Sequence, residues 1–248
     1  MLEIQNFMSK FLFDPAKAGK VGIEIECFLL RDGVIAPIAA EVLSHIDDAD
    51  FTNEMSACQL EYRVGPIDLS EVPQKLQEKD DYLTELEARH NFRRSYQEII
   101  LEGMPLDVFP DTRYLDISSR MPPEVLTAAC QVIGLHVHVG LPDHETALDT
   151  YNRVVPHTPW LISLGDGSNG ARMKAYHLVS PDSMPPQLPS WEHFHEMAVQ
   201  NGFVGNPRDN WKLIRLTAHG TIEFRMFGST SDIGRVASIA ESCHTLCF

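Results

Sequence analysis

The sequence predicts an α+β fold: a curved antiparallel β-sheet with helices on one face and an open polar face on the other. Four segments, Val21 to Leu30, Gln59 to Val64, Val132 to Val139 and Thr221 to Phe227, alternate polar and apolar residues with the period of two that a strand imposes. Each of them carries chemically versatile side chains on one face and core residues on the other. Stretches with helical apolar spacing separate these segments, and they supply the cover for the apolar face.

Taken in order, Val21 to Leu30 is entered through Gly22 and left through the turn Arg31-Asp32-Gly33. Pro37 to Ile46 has helical spacing. Gln59 to Val64 is a strand closed by Gly65-Pro66. A long amphipathic helix follows, with Ser70 as N-cap, Pro73 in its first turn and Val72, Leu76, Leu83, Leu86 and Ile100 at helical intervals up to Gly103. Gly103 to Pro123, rich in Pro, Asp and Arg, is predicted to be a long loop. After the strand Val132 to Val139, Pro142-Asp143 starts another helix. Gly165 to Gly170 is a glycine-rich turn that lacks a phosphate-loop pattern and is read as structural. Four prolines keep Ser180 to Pro189 irregular. Ser190 caps a helix ending near Gly202. Trp211 to Leu216 and Thr221 to Phe227 form a hairpin through His219-Gly220, and the chain stops in a further helix. No repeat or low-complexity linker divides the chain, so residues 1–248 are read as a single domain.

Residues two apart on a strand share a face. Glu24 and Glu26 therefore project together, as do Glu61 and Arg63, His136 and His138, and Glu223 and Arg225. Four carboxylates gathered on one surface raise one another's pKa, and divalent cations with a polyphosphate relieve that repulsion. Arg63, Arg215 and Arg225 offer planar forks that fit phosphate oxygens or a carboxylate. Each piece also has a plainer reading. Alternating Glu on a strand is most often a solvated face. The two histidines alone fit ordinary hydrogen bonding or a zinc pair, and Arg225 beside Glu223 fits a surface ion pair. Repetition of one pattern on four strands favours a site.

The bulk numbers exclude several classes. A formal charge of −15, from 35 acidic and 20 basic side chains, repels nucleic acid and anionic membrane surfaces. Cys27, Cys58, Cys130, Cys243 and Cys247 are odd in number and form no CxxC pair. They are read as buried free thiols of a reducing cytoplasm. Met1 to Asp14 has no signal-peptide character, and no apolar run is long enough to span a bilayer.

In sequence order these segments resemble the carboxylate–amine ligases of the type 2 glutamate–cysteine ligase family, within the glutamine synthetase-like fold. The matching strings are Gly22-Ile23-Glu24-Ile25-Glu26, Gln59-Leu60-Glu61, Gly134-Leu135-His136-Val137-His138-Val139-Gly140-Leu141-Pro142-Asp143 and Gly220-Thr221-Ile222-Glu223-Phe224-Arg225. Pro159 to Arg172 and Trp191 to Arg215 match as well, so the resemblance runs from about Gly22 to Gly234.

The resemblance implies a concave sheet on which Glu24, Glu26, Glu61, His136, His138 and Glu223 hold Mg²⁺ or Mn²⁺ around ATP. It leaves open which histidine binds metal. Arg172, Arg215 and Arg225 fall where contacts to the reacting phosphate or substrate are expected, and Arg63 joins Arg215 and Arg225 as a nucleotide contact. The implied substrates are small molecules, amino acids such as glutamate and cysteine, with no nucleic acid or membrane partner. This chain ends soon after the GTIEFR strand, where family members continue, and the stretch between Leu164 and Arg172 is short. A neighbouring subunit of a homo-oligomer is then expected to supply missing walls. Two other readings are carried: a metal-dependent hydrolase built on His136 and His138, and a relative that binds nucleotide or amino acid without turnover.

Overall fold

The computed structural model describes residues 2–248. Met1, which opens both the predicted single domain and the segment read as lacking a signal peptide, lies outside them. The strands are β1 (Val21–Arg31), β2 (Val34–Ile35), β3 (Phe51–Asn53), β4 (Gln59–Ile67), β5 (Arg93–Ser95), β6 (Gly134–Gly140), β7 (Ile214–Leu216) and β8 (Thr221–Gly228). The helices are α1 (Leu2–Met8), α2 (Ala39–Leu43), α3 (Val72–His90), α4 (Thr112–Ser118), α5 (Pro123–Gln131), α6 (His144–Val154), α7 (Thr158–Gly165), α8 (Ala171–Val179), α9 (Trp191–Gln200) and α10 (Ile233–Cys247).

All strands join one sheet in the order β3-β4-β1-β6-β8-β7, with β2 and β5 pairing to the far end of β1. Every pairing is antiparallel. The four strands carrying the polar pairs are thus consecutive neighbours, β4, β1, β6 and β8. Their alternate residues Ile23, Ile25, Leu60, Leu135, Val137, Ile222 and Phe224 are fully or nearly fully buried. Helices α3, α6 and α10 cover this face with Leu76, Leu83, Ala147, Tyr151, Val236 and Ile239. Each such side chain removed from water contributes roughly 1.5–3 kcal/mol, so the alternation that forms the strands also anchors the sheet and leaves its other face free for polar groups.

Several boundaries differ from the sequence reading. The long helix begins at Val72 with no cap from Ser70: the chain enters it through a 3-10 turn, Leu69–Glu71, that contains Ser70 and is closed by a capping box in which the Asp68 N–H donates to the Glu71 carboxylate. It ends at His90, well before Gly103, because Asn91 takes a left-handed conformation (φ 49°). The chain then reverses as β5 against β1, and Arg94 pins it to α3 through partly buried ion pairs with Asp80 and Glu87. The predicted Gly103 to Pro123 loop contains α4, capped by the Asp111 carboxylate, which accepts from the Arg113 and Tyr114 N–H groups. Pro123, at the first position of α5, starts a helix that the proline-rich composition concealed. The helix expected over Pro37 to Ile46 is confined to α2.

β4 runs beyond Gly65-Pro66 to Ile67. Gly65 has φ +119°, and a Cβ there would sit 2.5 Å from the Val21 carbonyl oxygen. Only glycine lets β4 cross β1 so closely. The irregular 180–189 segment, the Ser190-capped helix and the final helix lie where the sequence put them, and the β7–β8 hairpin does too except that β7 starts at Ile214, not Trp211; the strand expected from Val132 begins only at Gly134.

Candidate functional site

Cross-strand register assembles the polar pairs into rows. Glu26 stands opposite Glu61, which stands opposite Thr52. Glu24 lies between Arg63 on β4 and His136 on β6. His138 faces Glu223 on β8, and Glu223 faces Arg215 on β7. These rows floor a cleft of about 640 Å³, walled by α4, α5, α8 and the 207–219 segment.

At the β8 end the dominant group is Glu223, with no exposed surface. Arg215 grips both of its oxygens through Nε and Nη2, and Arg225 donates to it through Nη1. Burial alone would raise the Glu223 pKa, but the two guanidiniums and both histidines outweigh it and hold the carboxyl well below the usual range. Arg215 also donates to the Arg208 and Asn210 carbonyls. The Arg225 Nε, by contrast, is buried without a partner, and its guanidinium carbon lies 5.9 Å from the Trp211 ring centre.

In the middle row, burial raises the Glu24 pKa, yet His138 and His136 prevail and keep it low. Burial, then Arg225, depresses the His136 imidazole to about 4, so it is neutral at pH 7. Burial lowers His138 too, but Glu24 and Glu223 prevail and raise it. Thr221 Oγ1 lies 2.9 Å from His138 Nδ1 and fixes the ring. His138 Nε2 is a buried orphan: Glu24 Oε1 is 3.4 Å away, out of hydrogen-bonding alignment.

The β4 end is strongly acidic. Glu54, in the β3–β4 connection, joins Glu26 and Glu61. Burial, then Glu54, pushes Glu26 up to about 8, against compensation from Arg172 and the Gly134 N–H, which donates to Glu26 at 2.6 Å. Burial and the neighbouring Glu24, Glu54 and Glu26 push Glu61 well above its ordinary value. Glu54 is raised by burial as well. Three carboxylates so placed need protons or cations to coexist.

Potential ligand atoms converge in three overlapping sets: Glu24–His138–Glu223, Glu24–Glu61–His136 and Glu26–Glu54–Glu61. Each has at least two carboxylates and at most one imidazole, a hard oxygen-rich donor set that suits Mg²⁺ or Mn²⁺ better than zinc. The orphaned His138 Nε2 and the mutually repelling carboxylates fit such ions.

All six residues expected to bind metal therefore line one cleft, with Arg63, Arg172, Arg215 and Arg225 around them. Arg63 is exposed at the rim and donates to the Ala49 carbonyl. Arg172, on α8, is buried with its donors directed at the backbone carbonyls of Ile133, Met226 and Arg225. It ties α8 to the ends of β6 and β8. The Gly165 to Gly170 turn is held by its own carboxylate and by Glu98: Asp166 accepts from the Ser168 and Gly170 N–H groups, and Glu98 accepts from the Gly167 N–H.

Sequence reasoning missed Glu54 and Tyr114, whose hydroxyl lies 3.4 Å from Glu54. Neither sits on a strand alternation, so the period-two pattern could not find them. The five cysteines are buried and free. Among the described residues no helix is long and apolar enough to cross a membrane.

No protein-family model matches the chain. A curated protein named "Putative glutamate–cysteine ligase 2" from Gloeobacter violaceus is 31% identical, covering 44% of this chain and 33% of its own length. "Putative glutamate–cysteine ligase 2-3" from Rubrobacter xylanophilus is 25% identical, covering 91% of this chain and 68% of its own length. The chain thus spans about a third of the first relative and two thirds of the second. A bifunctional glutathione synthetase from Pasteurella multocida superposes with a TM-score of 0.55 at 13% identity, covering 99% of this chain and 39% of that one. That likeness establishes a shared fold: an antiparallel sheet with helices packed on it.

Proposed function

From its kinship with type 2 glutamate–cysteine ligases, the family its motifs resemble and its curated relatives are named for, we propose that this chain is an ATP-dependent carboxylate–amine ligase. One observation carries the reading: four adjacent strands, with Glu54 from the β3–β4 connection, bring carboxylates and imidazoles into three overlapping sets of potential cation ligands, flanked by arginines suited to phosphate.

In the proposed reaction a substrate carboxylate oxygen, from glutamate in the simplest case, attacks the γ-phosphorus of ATP, and the bond to the ADP oxygen breaks. The lone pair of an amine then attacks the acyl phosphate carbon. The C–N bond forms, the C–O bond to phosphate breaks, and the surplus amine proton leaves with the phosphate. No enzyme nucleophile is needed.

Glu24, Glu26, Glu54, Glu61, Glu223 and a histidine would hold divalent ions, which when bound neutralise phosphate charge. His138 is the better-prepared imidazole, with Nδ1 fixed by Thr221 and Nε2 free. Arg225 offers its unpartnered Nε edge to an anionic oxygen. Arg215 maintains the Glu223 carboxylate ionised and oriented, and the rim position of Arg63 suits a phosphate tail. Arg172 supports the site by fixing the ends of β6 and β8.

The test is amine-dependent phosphate release from ATP with Mg²⁺, glutamate and a panel of amines. Release that requires both glutamate and an amine is the expected result. Its absence for every acceptor removes the ligase reading.

A further inference from the structure

On the far side of its ring from the orphaned Nε2, His138 meets a hydroxyl. Thr221 lies two residues before Glu223 on β8, so both side chains project to the polar face. Glu223 stands directly opposite His138, which makes Thr221 its diagonal neighbour across the β6–β8 pairing. The hairpin turn then brings up a second hydroxyl, because the Thr217 N–H donates to the Thr221 carbonyl and the Gly220 N–H donates to the Thr217 carbonyl. The result is a row of polar atoms. Thr221 Oγ1 is 2.9 Å from His138 Nδ1, Thr217 Oγ1 is 2.7 Å further on, and the His219 backbone N–H donates to Thr217 Oγ1 at 3.3 Å.

The row has one chemically consistent polarity when a cation occupies Nε2. The ion takes that nitrogen's lone pair, so Nδ1 carries the ring's proton and donates it. Thr221 Oγ1 then accepts, and its single hydrogen has to go elsewhere. Thr217 Oγ1 lies within reach to accept it. The His219 N–H, which can only donate, points at the same oxygen, and the Thr217 hydrogen is left to the cleft that Thr217 lines. Among the described residues His136 has no comparable support. Its Nδ1 faces Glu24 Oε2 at 3.2 Å, and its Nε2 shares the space over Gly134 with the Arg172 guanidinium.

Resting on the cation-site part of the ligase reading, we propose that Thr217 and Thr221 are positioning residues: two hydroxyls that make His138 Nδ1 a donor and so present Nε2 to a divalent ion shared with Glu24 and Glu223. Neither hydroxyl touches the ion. Glu24 Oε1 and Glu223 Oε1 stand 3.4 and 3.9 Å from Nε2, close enough to share one. Loss of the Thr221 hydroxyl frees the ring. Loss of the Thr217 hydroxyl acts differently: among the described residues the Thr221 hydrogen then has Nδ1 as its remaining acceptor in the row. That favours a proton on Nε2 and opposes the ion.

Calorimetric titration with Mn²⁺ on near-isosteric variants tests this. Thr221→Val should weaken binding at this set by about 10–100-fold, and Thr217→Val by about threefold to tenfold, the worth of one hydrogen bond. The Thr217→Val/Thr221→Val double variant should bind no more weakly than Thr221→Val, because no hydroxyl is left to misdirect. Thr217→Ser and Thr221→Ser, which keep the hydroxyl, should bind like the wild type. With one equivalent of Mn²⁺, electron spin echo modulation should show a directly coordinated imidazole nitrogen in the wild type and in His136→Gln, and none in His138→Gln. A pair that only staples the hairpin would lower the urea midpoint of the Val variants and leave their Mn²⁺ affinity unchanged, which overturns the proposal. A double variant weaker than Thr221→Val, or a nitrogen signal that survives in His138→Gln, overturns it as well. In each of these cases Mn²⁺ still binds and the ligase reading stands. If the wild type binds no Mn²⁺, the proposal and the cation sites fall together. Absence of amine-dependent phosphate release, with the expected Mn²⁺ results, removes the ligase reading alone.

Discussion

Divalent cations should stabilise this protein far more at pH 8 than at pH 6. The reason lies in the Glu26 carboxyl, raised from the usual 4.5 to about 8 by burial and then by Glu54. Below pH 4.5 both the folded and the unfolded chain hold this proton. Between 4.5 and 8 the folded protein keeps a proton that the unfolded chain has released, so stability falls as pH rises through that window. At 1.36 kcal/mol per unit the loss is on the order of 5 kcal/mol when cation-free, and Glu61, shifted in the same direction, adds to it. A divalent ion reverses the balance, because it binds the deprotonated set. At about 100 times its dissociation constant an ion adds about 2.7 kcal/mol, which for a chain of this size raises Tm by roughly 5–11 °C. At pH 6 one proton must be displaced from a group of pKa about 8 that is only half protonated at pH 8, which weakens binding about 50-fold. The same ion concentration then adds only about 0.6 kcal/mol, a shift of roughly 1–3 °C. Thermal melts with Mn²⁺ against EDTA at the two pH values measure this directly. Equal shifts at both, or none at either, would refute the assignment of this cluster as a cation site.

Three further outcomes follow from the same geometry. Glu54→Gln should weaken Mn²⁺ binding by about tenfold or more in calorimetry, while leaving cation-free stability unchanged or higher, because it removes a carboxylate beside Glu26 and Glu61. Glu223→Gln should lower cation-free stability by about 3–5 kcal/mol in urea unfolding, since Arg215 and Arg225 lose their buried counter-charge; Glu24→Gln, which strands no arginine, should cost less. Gly65→Ala should destabilise by about 2 kcal/mol or more, because a Cβ at φ +119° meets the Val21 carbonyl oxygen at 2.5 Å and the Gly22 Cα at 2.7 Å. A near-wild-type urea midpoint would contradict that close approach.

Much of the fold was legible because strands impose a period of two and polar groups that share a face cannot hide it. Glu24/Glu26, Glu61/Arg63, His136/His138 and Glu223/Arg225 each announced their faces in local sequence, and the apolar residues between them announced the core. Register was not legible. Nothing local states that Glu26 meets Glu61 or that His138 meets Glu223; those pairings follow from how four strands with one buried face align. Glu54 escaped because it reaches the site from a connection, where no periodicity marks direction. The early end of α3 escaped because Arg94 reads as a solvated helix residue. Its partners Asp80 and Glu87, 14 and 7 residues earlier, become neighbours only once Asn91 reverses the chain.

The strand order also dictates how the cation sets relate. β1 lies between β4 and β6, so Glu24 is reached from both sides: it belongs to one set with His138 and Glu223 and to another with Glu61 and His136. Glu61 in turn links the second set to Glu26 and Glu54. A carboxylate has two oxygens, so it serves two ions only by bridging them. Neighbouring sets therefore cannot fill independently. An ion at the β8 end draws on Glu24, already ionised beside its histidines, and needs no proton removed from Glu24 or Glu223. An ion at the β4 end must displace protons from Glu26 or Glu61, whose pKa values are raised. The β8 end should thus fill first, displacing only the proton of His138, whose pKa is raised, and the β4 end second, with the larger proton release. In a calorimetric titration with Mn²⁺ near pH 7, the larger proton release measured by varying the buffer should belong to the weaker event. Proton release confined to the tighter event would reverse this order and would mean that the raised carboxyls belong to the first site filled.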